Sequence, residues 1–382
     1  MNELGFVSMT LGNHEFDWFD TAIKENLEIA NFPFLGINIF DNSTSQRVGY
    51  CSSSVTITID GVKFGIIGAI GDCKSSISGS RVKDVDFKVG NELTNLVKEE
   101  SVRLKTEEKC DFIIYSIHSD SSDYDTSLSN GYVDMVFEGH THKQYITTDS
   151  YGVYHFQGYG YNQSFSHASI EVDKTNMTFT YKEKESIQTT SFSSLVDDQI
   201  TLDLIDKYSS MIGNPNEVVG YNSSQRNSTY LKQLISELYL QAGISEWGNK
   251  YNIVLSGGYI SCRSPYILPE GDVTLSQIYN LFPFDNDLVI CSGAGSFINK
   301  CYVKTTNANY FTTYNTSLGY SSSYSFSSSQ IYYFVCDTYG SDYYIYGNGY
   351  NSSYKFNELE KSITGKYARD LLIDYITNGN LA

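Results

Sequence analysis

The sequence predicts a layered α/β domain followed by a second domain of mixed α and β structure. The first observation is an alternation along residues 19–140, where amphipathic helical stretches lead into short apolar strands. The second is that histidines follow directly on these strands, at the positions where open α/β sheets place their ligands. The third is a change of composition near residue 186, since Ser and Thr dominate residues 186–195. We therefore expect two domains joined by a linker.

The elements of the first domain follow from local hydrophobic patterns. Val89, Leu93, Val97 and Leu104 recur at helical spacing with charged residues between them, which predicts an amphipathic helix. Asp60-Gly61 between two apolar runs predicts a β-hairpin. In chain order, the pattern predicts strands at residues 7–11, 32–38, 55–59, 62–67, 112–117 and 135–137, and a helix at residues 19–30.

The second half of the chain predicts fewer regular elements. Ser256-Gly257-Gly258 predicts a glycine turn after a strand at residues 251–255. The Ser-, Thr- and Tyr-rich stretch 305–330 predicts hairpins or a long exposed loop. Helices are predicted at residues 200–212, 230–239 and 366–376. We expect domains at residues 1–185 and 215–382, with residues 186–214 forming a linker helix between them.

Composition excludes several classes of partner. The chain of 382 residues has a formal net charge of −18 and a pI of about 4.7. It should therefore repel nucleic-acid polymers and anionic membranes. No apolar run is long enough to span a bilayer. A phosphate-bearing substrate would need local help from metal ions or a few arginines.

The cysteines predict neither a zinc site nor a disulfide framework. None of the seven lies in a CxxC pair, which structural zinc sites commonly use. Their number is odd and their spacing is scattered, so most of them are expected to be small core residues. They are Cys51, Cys73, Cys110, Cys262, Cys291, Cys301 and Cys336.

Four histidines at predicted strand ends are candidates for metal binding: His14, His118, His140 and His142. Imidazole is the commonest ligand for borderline metals, and the Asn13 side chain can add an oxygen. If residues 140–142 are extended, the rings of His140 and His142 point the same way. Such a pair could reach two ions roughly 3.5–4 Å apart. A single histidine at a strand end can equally be a turn or core residue.

That turn or core interpretation is the one we favour for the two remaining histidines. They are His155 and His167, and no motif surrounds either of them.

Three short motifs carry a resemblance to a known family. Gly12-Asn13-His14-Glu15 resembles the GNH(E/D) block of calcineurin-like metallophosphoesterases, and the following Phe16-Asp17 is similar to the 5′-nucleotidase branch. Ser116-Ile117-His118 resembles the single-histidine block of that family, and Gly139-His140-Thr141-His142 resembles its GHTH block. One such motif would be weak evidence, whereas three in the family order are strong.

The resemblance implies a layered α/β/β/α metallophosphoesterase domain with two divalent metal ions, of zinc, manganese, cobalt or magnesium. It implies that Asn13, His118 and His140 ligate one ion and that His142 ligates the other. It also implies that His14, oriented by Asp17, donates to the leaving group or to the charge of the transition state. The alternative for Asp17 is a helix N-cap before Trp18.

The chain departs from the family pattern at its beginning. Family members carry an Asp-x-His strand and a Gly-Asp turn before the GNHE block, whereas only twelve residues precede Asn13. We therefore expect an incomplete first domain in which the ion of Asn13, His118 and His140 binds weakly and the ion of His142 hardly at all. The His118 block also carries Ser119-Asp120 where a glycine is usual at the second position. No signal peptide is visible, although the family resemblance implies an extracellular, periplasmic or cell-surface location.

Residues 215–382 resemble the C-terminal domain of 5′-nucleotidases, an α+β domain that binds the nucleotide. Residues 256–260 are similar to the family's Asn-Gly-Gly-x-Ile-Arg turn, with Arg263 as the displaced arginine that would contact ribose or phosphate. Residues 281–286 match the block that carries a base-stacking Phe284. Tyr339, or else Tyr343, would be the second stacking ring. The alternatives are a surface salt bridge for Arg263 and a core aromatic for Phe284.

Three functions remain open from the sequence. The first is metal-dependent hydrolysis of nucleotide phosphoesters, of the 5′-nucleotidase, 2′,3′-cyclic phosphodiesterase or UDP-sugar hydrolase type. The second is a truncated relative that binds a nucleotide, or acts at the surface, without turnover. The third is a surface adhesin. Seven Asn-x-Ser/Thr sequons give it weak support, among them Asn42, Asn176 and Asn227.

Overall fold

A computed structural model describes residues 1–120, 122–212, 214–259, 262–263, 266–303, 310–345 and 356–381. The chain divides into two compact units. The first comprises residues 1–77 and 81–202, and the second comprises residues 78–80 and 203–382. The division falls within helix α3 (Gln199–Ile212), at the place where the sequence predicts a linker helix.

The first unit is built on a six-stranded mixed sheet with further two-stranded ladders beside it. The sheet has the order β4-β5-β7-β8-β10-β9, in which β5, β7, β8 and β10 run parallel. The ladders are β1-β2, β3-β6 and β11-β12. The strands are β1 (Met9–Thr10), β2 (Phe34–Leu35), β3 (Ile39–Asp41), β4 (Ser54–Ile59), β5 (Val62–Ile70), β6 (Val85–Phe87), β7 (Phe112–His118), β8 (Met135–Glu138), β9 (Tyr145–Thr148), β10 (Tyr154–Gln157), β11 (Ser164–Asp173) and β12 (Thr178–Gln188).

Two helices cover opposite faces of this sheet, α1 (Phe19–Ile29) and α2 (Asn91–Thr106). Alternating residues of β5 point to the two faces, so that Ile67 packs in one core with α2 and Ile70 packs in the other with α1. The ladder β1-β2 lies between the sheet and α1 and contacts the sheet through a hydrogen bond of 2.8 Å from the Thr10 hydroxyl to Ser116 Oγ. The predicted order of layers, helix, sheet, strands and helix, is confirmed.

The predicted hairpin at Asp60-Gly61 is present. Strands β4 and β5 pair antiparallel, with Ile59 opposite Val62. Asp60 and Gly61 have φ values of 51° and 81°, which is the pair of positive angles that a two-residue type I′ turn requires. The turn therefore fixes the register that brings the apolar face of β5 onto α2.

The second unit is an α+β fold around a five-stranded sheet of order β19-β15-β20-β18-β21. Helices α4 and α8 pack in its largest core, where Leu231, Ile235 and Tyr239 meet Leu372 and Ile376. The strands are β13 (Val218–Asn222), β14 (Arg226–Asn227), β15 (Ile253–Tyr259), β16 (Ile267–Leu268), β17 (Gly271–Thr274), β18 (Leu288–Ala294), β19 (Tyr310–Tyr314), β20 (Ile331–Asp337) and β21 (Asn357–Lys361). The helices are α4 (Ser228–Trp247), α5 (Leu275–Leu281), α6 (Gly295–Ile298), α7 (Thr338–Ile345) and α8 (Ala368–Thr377).

The predicted glycine turn at residues 256–258 is wrong. Ser256 and Gly257 lie inside β15 and pair with Thr313 and Thr312 of β19. The ladder to β19, joined at Ser256 by the ladder to β20, keeps this segment in the sheet, and Gly257 adopts a φ of 110° within it. Ile260, Ser261, Ser264 and Pro265, which complete the predicted motif, lie outside the described residues.

Other predictions at the level of elements have mixed outcomes. The helix predicted at 230–239 continues to Trp247, because Leu240 and Trp247 extend the buried stripe. In the stretch 305–330, strand β19 and a single 3₁₀ turn are present, and residues 304–309 lie outside the described part.

All seven cysteines are free thiols and five of them are buried, as expected. Among the described residues, every helix is too short or too polar to cross a membrane.

The two histidines outside the motifs differ from each other. His155 is 3% exposed, in agreement with its prediction as a core residue. Its Nδ1 lies 3.0 Å from the fully buried Glu138 carboxylate, and its Nε2 lies 3.6 Å from Asp149 Oδ2. His167 is neither a core nor a turn residue, so that prediction is wrong. It lies on β11 with its side chain 41% exposed and faces Glu185 across the ladder.

We expect His155→Leu to lower the free energy of unfolding by about 3–5 kcal/mol, because the carboxylate of Glu138 would remain buried with the Tyr145 hydroxyl but without the imidazole. Urea denaturation of the purified chain measures this loss. His167→Leu is the matched control and should change stability by less than about 0.5 kcal/mol, since its partner is exposed. Equal losses in the two variants would contradict this account of the buried pair.

Candidate active site

Three motifs from distant parts of the chain meet at one edge of the first unit. Strands β7 and β8 are parallel neighbours, with Ile117 level with Glu138, so His118 and the segment after Glu138 leave the sheet side by side. Strand β1 ends next to β7 and continues through Gly12 into a 3₁₀ turn at Asn13–Phe16. The carboxyl ends of these strands therefore bring Asn13, His118 and His140 together.

The glycine of the first motif is required by a close approach. A Cβ atom at Gly12 would lie 2.6 Å from Cε1 and Nδ1 of the His118 ring. The amide of Gly12 donates to Glu15 Oε2 at 2.7 Å, which fixes the start of the 3₁₀ turn. The absence of a side chain at residue 12 thus lets the His118 imidazole lie against the backbone that carries Asn13.

Asn13 joins the two other motifs. Its side-chain Oδ1 lies 2.8 Å from His118 Nε2 and 3.2 Å from His140 Nδ1, and the residue is only 3% exposed. The rings of His118 and His140 meet edge to face, with centroids 5.1 Å apart. We refer to Asn13, His118 and His140 as the Asn13 cluster.

The environment of this cluster favours neutral imidazoles. Burial, reinforced by the neighbouring His140, His14 and His142, lowers the pKa of His118 from 6.5 to about 4. Burial also lowers the pKa of His140, and His142 and His14 lower it further. Neutral imidazole is the form that ligates a metal ion, so both rings are in that form at ordinary pH.

His14 and Asp17 form a pair beside the cluster. His14 Nδ1 lies 2.8 Å from Asp17 Oδ2, and the histidine side chain is 44% exposed while the carboxylate is largely covered. A guanidinium nitrogen of Arg81 donates to the backbone carbonyl of Asp17. The alternative of Asp17 as an N-cap is wrong, because α1 begins at Phe19 after Trp18 and the Asp17 carboxylate faces His14.

The segment His140-Thr141-His142 is not extended, contrary to the prediction. His140 and His142 have φ values of 67° and 57°, in the left-handed region. Non-glycine residues pay roughly 1–3 kcal/mol for such a conformation, and it persists where the surroundings hold it. The reason for the difference is that the chain must turn sharply from the end of β8 to reach β9. The two rings consequently have different surroundings.

His142 has surroundings different from those of the Asn13 cluster. It is exposed, and its ring centroid lies 4.9 Å from that of Tyr161. Among the described residues, one group of three His, Cys, Asp or Glu side chains has its ligand atoms within 4.8 Å of one another, namely His167, Glu183 and Glu185 on the β11-β12 ladder. These side chains are largely exposed, and such groups commonly occur without an ion.

The donor atoms of the Asn13 cluster suit a divalent metal ion. One amide oxygen and two neutral imidazoles, at least one of them well buried, converge on a shared point. Nitrogen and oxygen donors of this kind fit zinc, manganese or cobalt. For a second ion, the described residues offer His142 alone among the predicted ligands.

In the second unit, Arg263 and Phe284 are neighbours. The Arg263 guanidinium lies over the Phe284 ring at 5.2 Å from its centroid, which is the geometry of a cation–π contact. The Arg263 amide donates to the carbonyl of Leu281 at 2.9 Å, which ties the two segments together. Phe284 is half-buried, and so is Arg263. The role of Phe284, as a stacking ring or as a core aromatic, therefore stays a prediction.

Arg369 holds the loop that carries Phe284, a role that the sequence did not suggest. It lies at the start of α8, is 3% exposed, and donates to the carbonyls of Phe282 and Phe284 at 3.2 and 3.4 Å. Its second terminal nitrogen donates to Asp285 Oδ1 at 2.5 Å. An arginine in the middle of an apolar helix pattern could have signalled this contact, because buried arginines are almost always paired.

Tyr339 occupies the second position of α7 and is half-buried. The turn before it is fixed by Asp337, whose carboxylate accepts hydrogen bonds from the Gly340 amide and the Tyr239 hydroxyl. Tyr343, the alternative, packs against a core cluster of this unit. The role of Tyr339 as a second stacking ring stays a prediction.

Comparison with known proteins agrees with the site. No profile of a known protein family matches the chain. An apyrase of Tabanus yao is 36% identical over 153 residues, which cover 39% of this chain and 26% of the relative. The protein UshA of Yersinia enterocolitica is 31% identical over 155 residues, covering 37% of this chain and 27% of the relative. Over the matched part, the chain is thus similar to nucleotide-hydrolysing proteins of the type that its motifs resemble.

The fold of the chain is also found in solved structures. The crystal structure of a 5′-nucleotidase precursor from Thermus thermophilus is similar, with a TM-score of 0.72. The alignment covers 99% of this chain and 82% of that protein. The identity of 16% means that this likeness concerns the fold. The chain spans about a quarter of the length of the two relatives above.

We expect Gly12→Ala to displace the His118 ring and to lower the free energy of unfolding by about 1–3 kcal/mol through overpacking. Thermal and urea denaturation measure the loss, and histidine NMR spectra report whether the His118 and Asn13 contact is broken. Gly49→Ala is the matched control, because a Cβ there would meet nothing within 4 Å. An unchanged His118 resonance in Gly12→Ala would contradict the close-approach argument.

Proposed function

We propose that the chain hydrolyses phosphoester bonds of nucleotides in a reaction that depends on divalent metal ions. Within the family, the 5′-nucleotidase, 2′,3′-cyclic phosphodiesterase and UDP-sugar hydrolase types are the candidate activities. The observation that carries the proposal is the Asn13 cluster with the His14 and Asp17 pair directly beside it in sequence. One short 3₁₀ turn thus bears both an ion ligand and a candidate proton donor.

The proposed ligands follow from the donor atoms. Asn13, His118 and His140 would hold one divalent ion, and His142 would contribute to a second. When bound, such an ion polarises a phosphoryl oxygen and lowers the pKa of a water molecule. The depressed pKa of His118 supports this assignment, because the proton does not compete with the ion above about pH 5.

His14 is the proposed proton donor to the leaving oxygen. With Nδ1 facing Asp17, Nε2 is the ring atom that would donate, and the carboxylate holds the ring in one orientation. The partial exposure of His14 supports this role, since a substrate must reach the ring. Asp17 would act through His14 as a positioning residue.

The second unit would recognise the nucleoside. A half-buried Phe284 offers a face for base stacking, and the Arg263 guanidinium beside it offers a fixed charge for ribose or phosphate. Tyr339 is proposed as the opposite ring. In this arrangement residues 1–185 form the catalytic domain, residues 215–382 form the nucleotide-binding domain, and residues 186–214 link them.

A second candidate function is nucleotide binding without turnover. It is favoured by the assignment of His142 alone to a second ion, since one imidazole is a poor site for an ion. For either function we propose an extracellular, periplasmic or cell-surface location by analogy with the family. Incubation of the purified chain with AMP and Mn²⁺ or Co²⁺ distinguishes the two candidate functions, because only a catalyst releases phosphate.

We expect phosphate release from AMP by the purified chain in Mn²⁺ or Co²⁺, and none above the protein-free rate in excess chelator. His14→Ala should lower kcat by about 10²–10⁴-fold, which is the usual contribution of a positioned proton donor. A colorimetric phosphate assay measures both effects.

His167→Ala is the control for the loss of an exposed histidine that faces a carboxylate. It should leave kcat unchanged. Release at the protein-free rate, together with retained AMP binding, would exclude the catalyst and leave the binding protein.

We expect Phe284→Ala to weaken binding of AMP by about 1–3 kcal/mol, or roughly 5- to 150-fold in Kd, through loss of the stacking face. Isothermal titration calorimetry measures this change. Tyr230→Ala is the matched control, because the Arg226 guanidinium lies 4.5 Å over that exposed ring in the same unit. A similar loss of affinity in both variants would show that Phe284 is not the stacking face.

A further inference from the structure

We infer that Gln157 is a positioning residue for the proposed metal ligands, acting through the hydroxyl of Thr141. The inference rests on the proposed function, because it concerns how His140 and His142 are held. Gln157 belongs to none of the three motifs. It lies at the last position of β10 and is 1% exposed, although its side chain is a polar amide.

The sheet places Gln157 at the base of the histidine loop, which comprises residues 139–144. Strand β10 lies between β8 and β9, and Gln157 pairs in register with Glu138 on one side and Tyr145 on the other. These two neighbours are the residues immediately before and after the loop. The loop therefore leaves the sheet and returns to it on either side of Gln157.

The side chain of Gln157 reaches the middle of this loop. The Thr141 hydroxyl donates to Gln157 Oε1 at 3.0 Å, and Gln157 Nε2 lies 2.9 Å from the same Thr141 oxygen. Thr141 is the residue between His140 and His142. The buried amide of Gln157 thus holds the side chain of Thr141. Because Thr141 lies between the two histidines, this contact restrains both of them.

The loop needs such a support because of its backbone. His140 and His142 both have left-handed φ values, and these are unfavourable for residues with a side chain. Among the described residues, backbone hydrogen bonds hold the first half of the loop, where the Gly139 amide donates to Ser119 and the Thr141 amide donates to Gly139, at 2.9 and 2.8 Å. The hydrogen bonds of Gln157 hold the centre.

A fixed Thr141 has consequences on both sides. It keeps His140 turned toward Asn13, with Nδ1 at 3.2 Å from the amide oxygen. It also fixes the point from which His142 departs toward Tyr161. Partners that orient ligands in this way commonly change metal affinity by 10–100-fold when they are removed. Gln157 would therefore act on the ion without touching it.

Two variants and one rescue test the inference on the whole chain. Gln157→Leu and Thr141→Val each remove the hydrogen bond at nearly constant volume, whereas Thr141→Ser retains the hydroxyl. We expect Mn²⁺ affinity, measured by isothermal titration calorimetry, to fall about 10–100-fold in the first two and by no more than about twofold in Thr141→Ser. The double variant, which carries Gln157→Leu and Thr141→Val, should bind Mn²⁺ no more weakly than either single variant, because both changes remove the same contact.

Hydrogen–deuterium exchange of the metal-free chain supplies an independent readout. Amides of residues 139–143 should exchange faster in Gln157→Leu and Thr141→Val than in the parent chain or in Thr141→Ser. Gln46→Leu, which removes an exposed glutamine outside the histidine loop, is the control and should change neither readout.

Unchanged exchange in the loop, or unchanged Mn²⁺ affinity alongside a lowered Tm, would overturn the inference, since a purely structural residue gives that result. If Gln157→Leu does not fold, Thr141→Val decides alone. Failure of the parent chain to bind Mn²⁺ would instead overturn the proposed function. In that case the exchange experiment still shows whether Gln157 holds the loop.

Discussion

The contact on which the site depends is the one between Asn13 Oδ1 and the imidazoles of His118 and His140. It joins residues that are 105 and 127 positions apart in the chain. The contact is possible because β1, β7 and β8 end at the same edge, and because residue 12 has no side chain in the way of the His118 ring. Burial then keeps the His118 ring neutral at ordinary pH. Topology, close packing and protonation state thus act on the same three residues.

Polar side chains buried beneath the loops are a second common feature of both units. In the first unit, Gln157 holds the histidine loop and His155 lies between the buried carboxylates of Glu138 and Asp149. In the second unit, Arg369 gathers two carbonyls and a carboxylate beneath the Phe284 loop. Each of these groups costs free energy to bury unless its partners are in place. The loops that carry the proposed functional residues are consequently specified by polar contacts as well as by apolar packing.

Much of the fold could be predicted because its patterns are local. The apolar stripe of α2, the hairpin at Asp60-Gly61 and the strand before His118 are each formed by residues that are close together in the sequence. The glycine turn at residues 256–258 failed for the opposite reason. Its local signal is overridden by ladders to β19 and β20, whose residues lie more than fifty positions further along the chain. The extended geometry expected for residues 140–142 failed because the return to β9 imposes a sharp turn.

The sequence by itself determined the family motifs, the order of the layers and the chemical types of the candidate ligands, because these are properties of neighbouring residues. Only the tertiary structure decided that Arg263 lies over Phe284 and that His167 is partly exposed while His155 is buried. It also revealed Gln157 and Arg369, which no motif contains. Their importance comes from the groups that surround them, and those groups are brought together by strand pairing and helix packing over long separations in the chain.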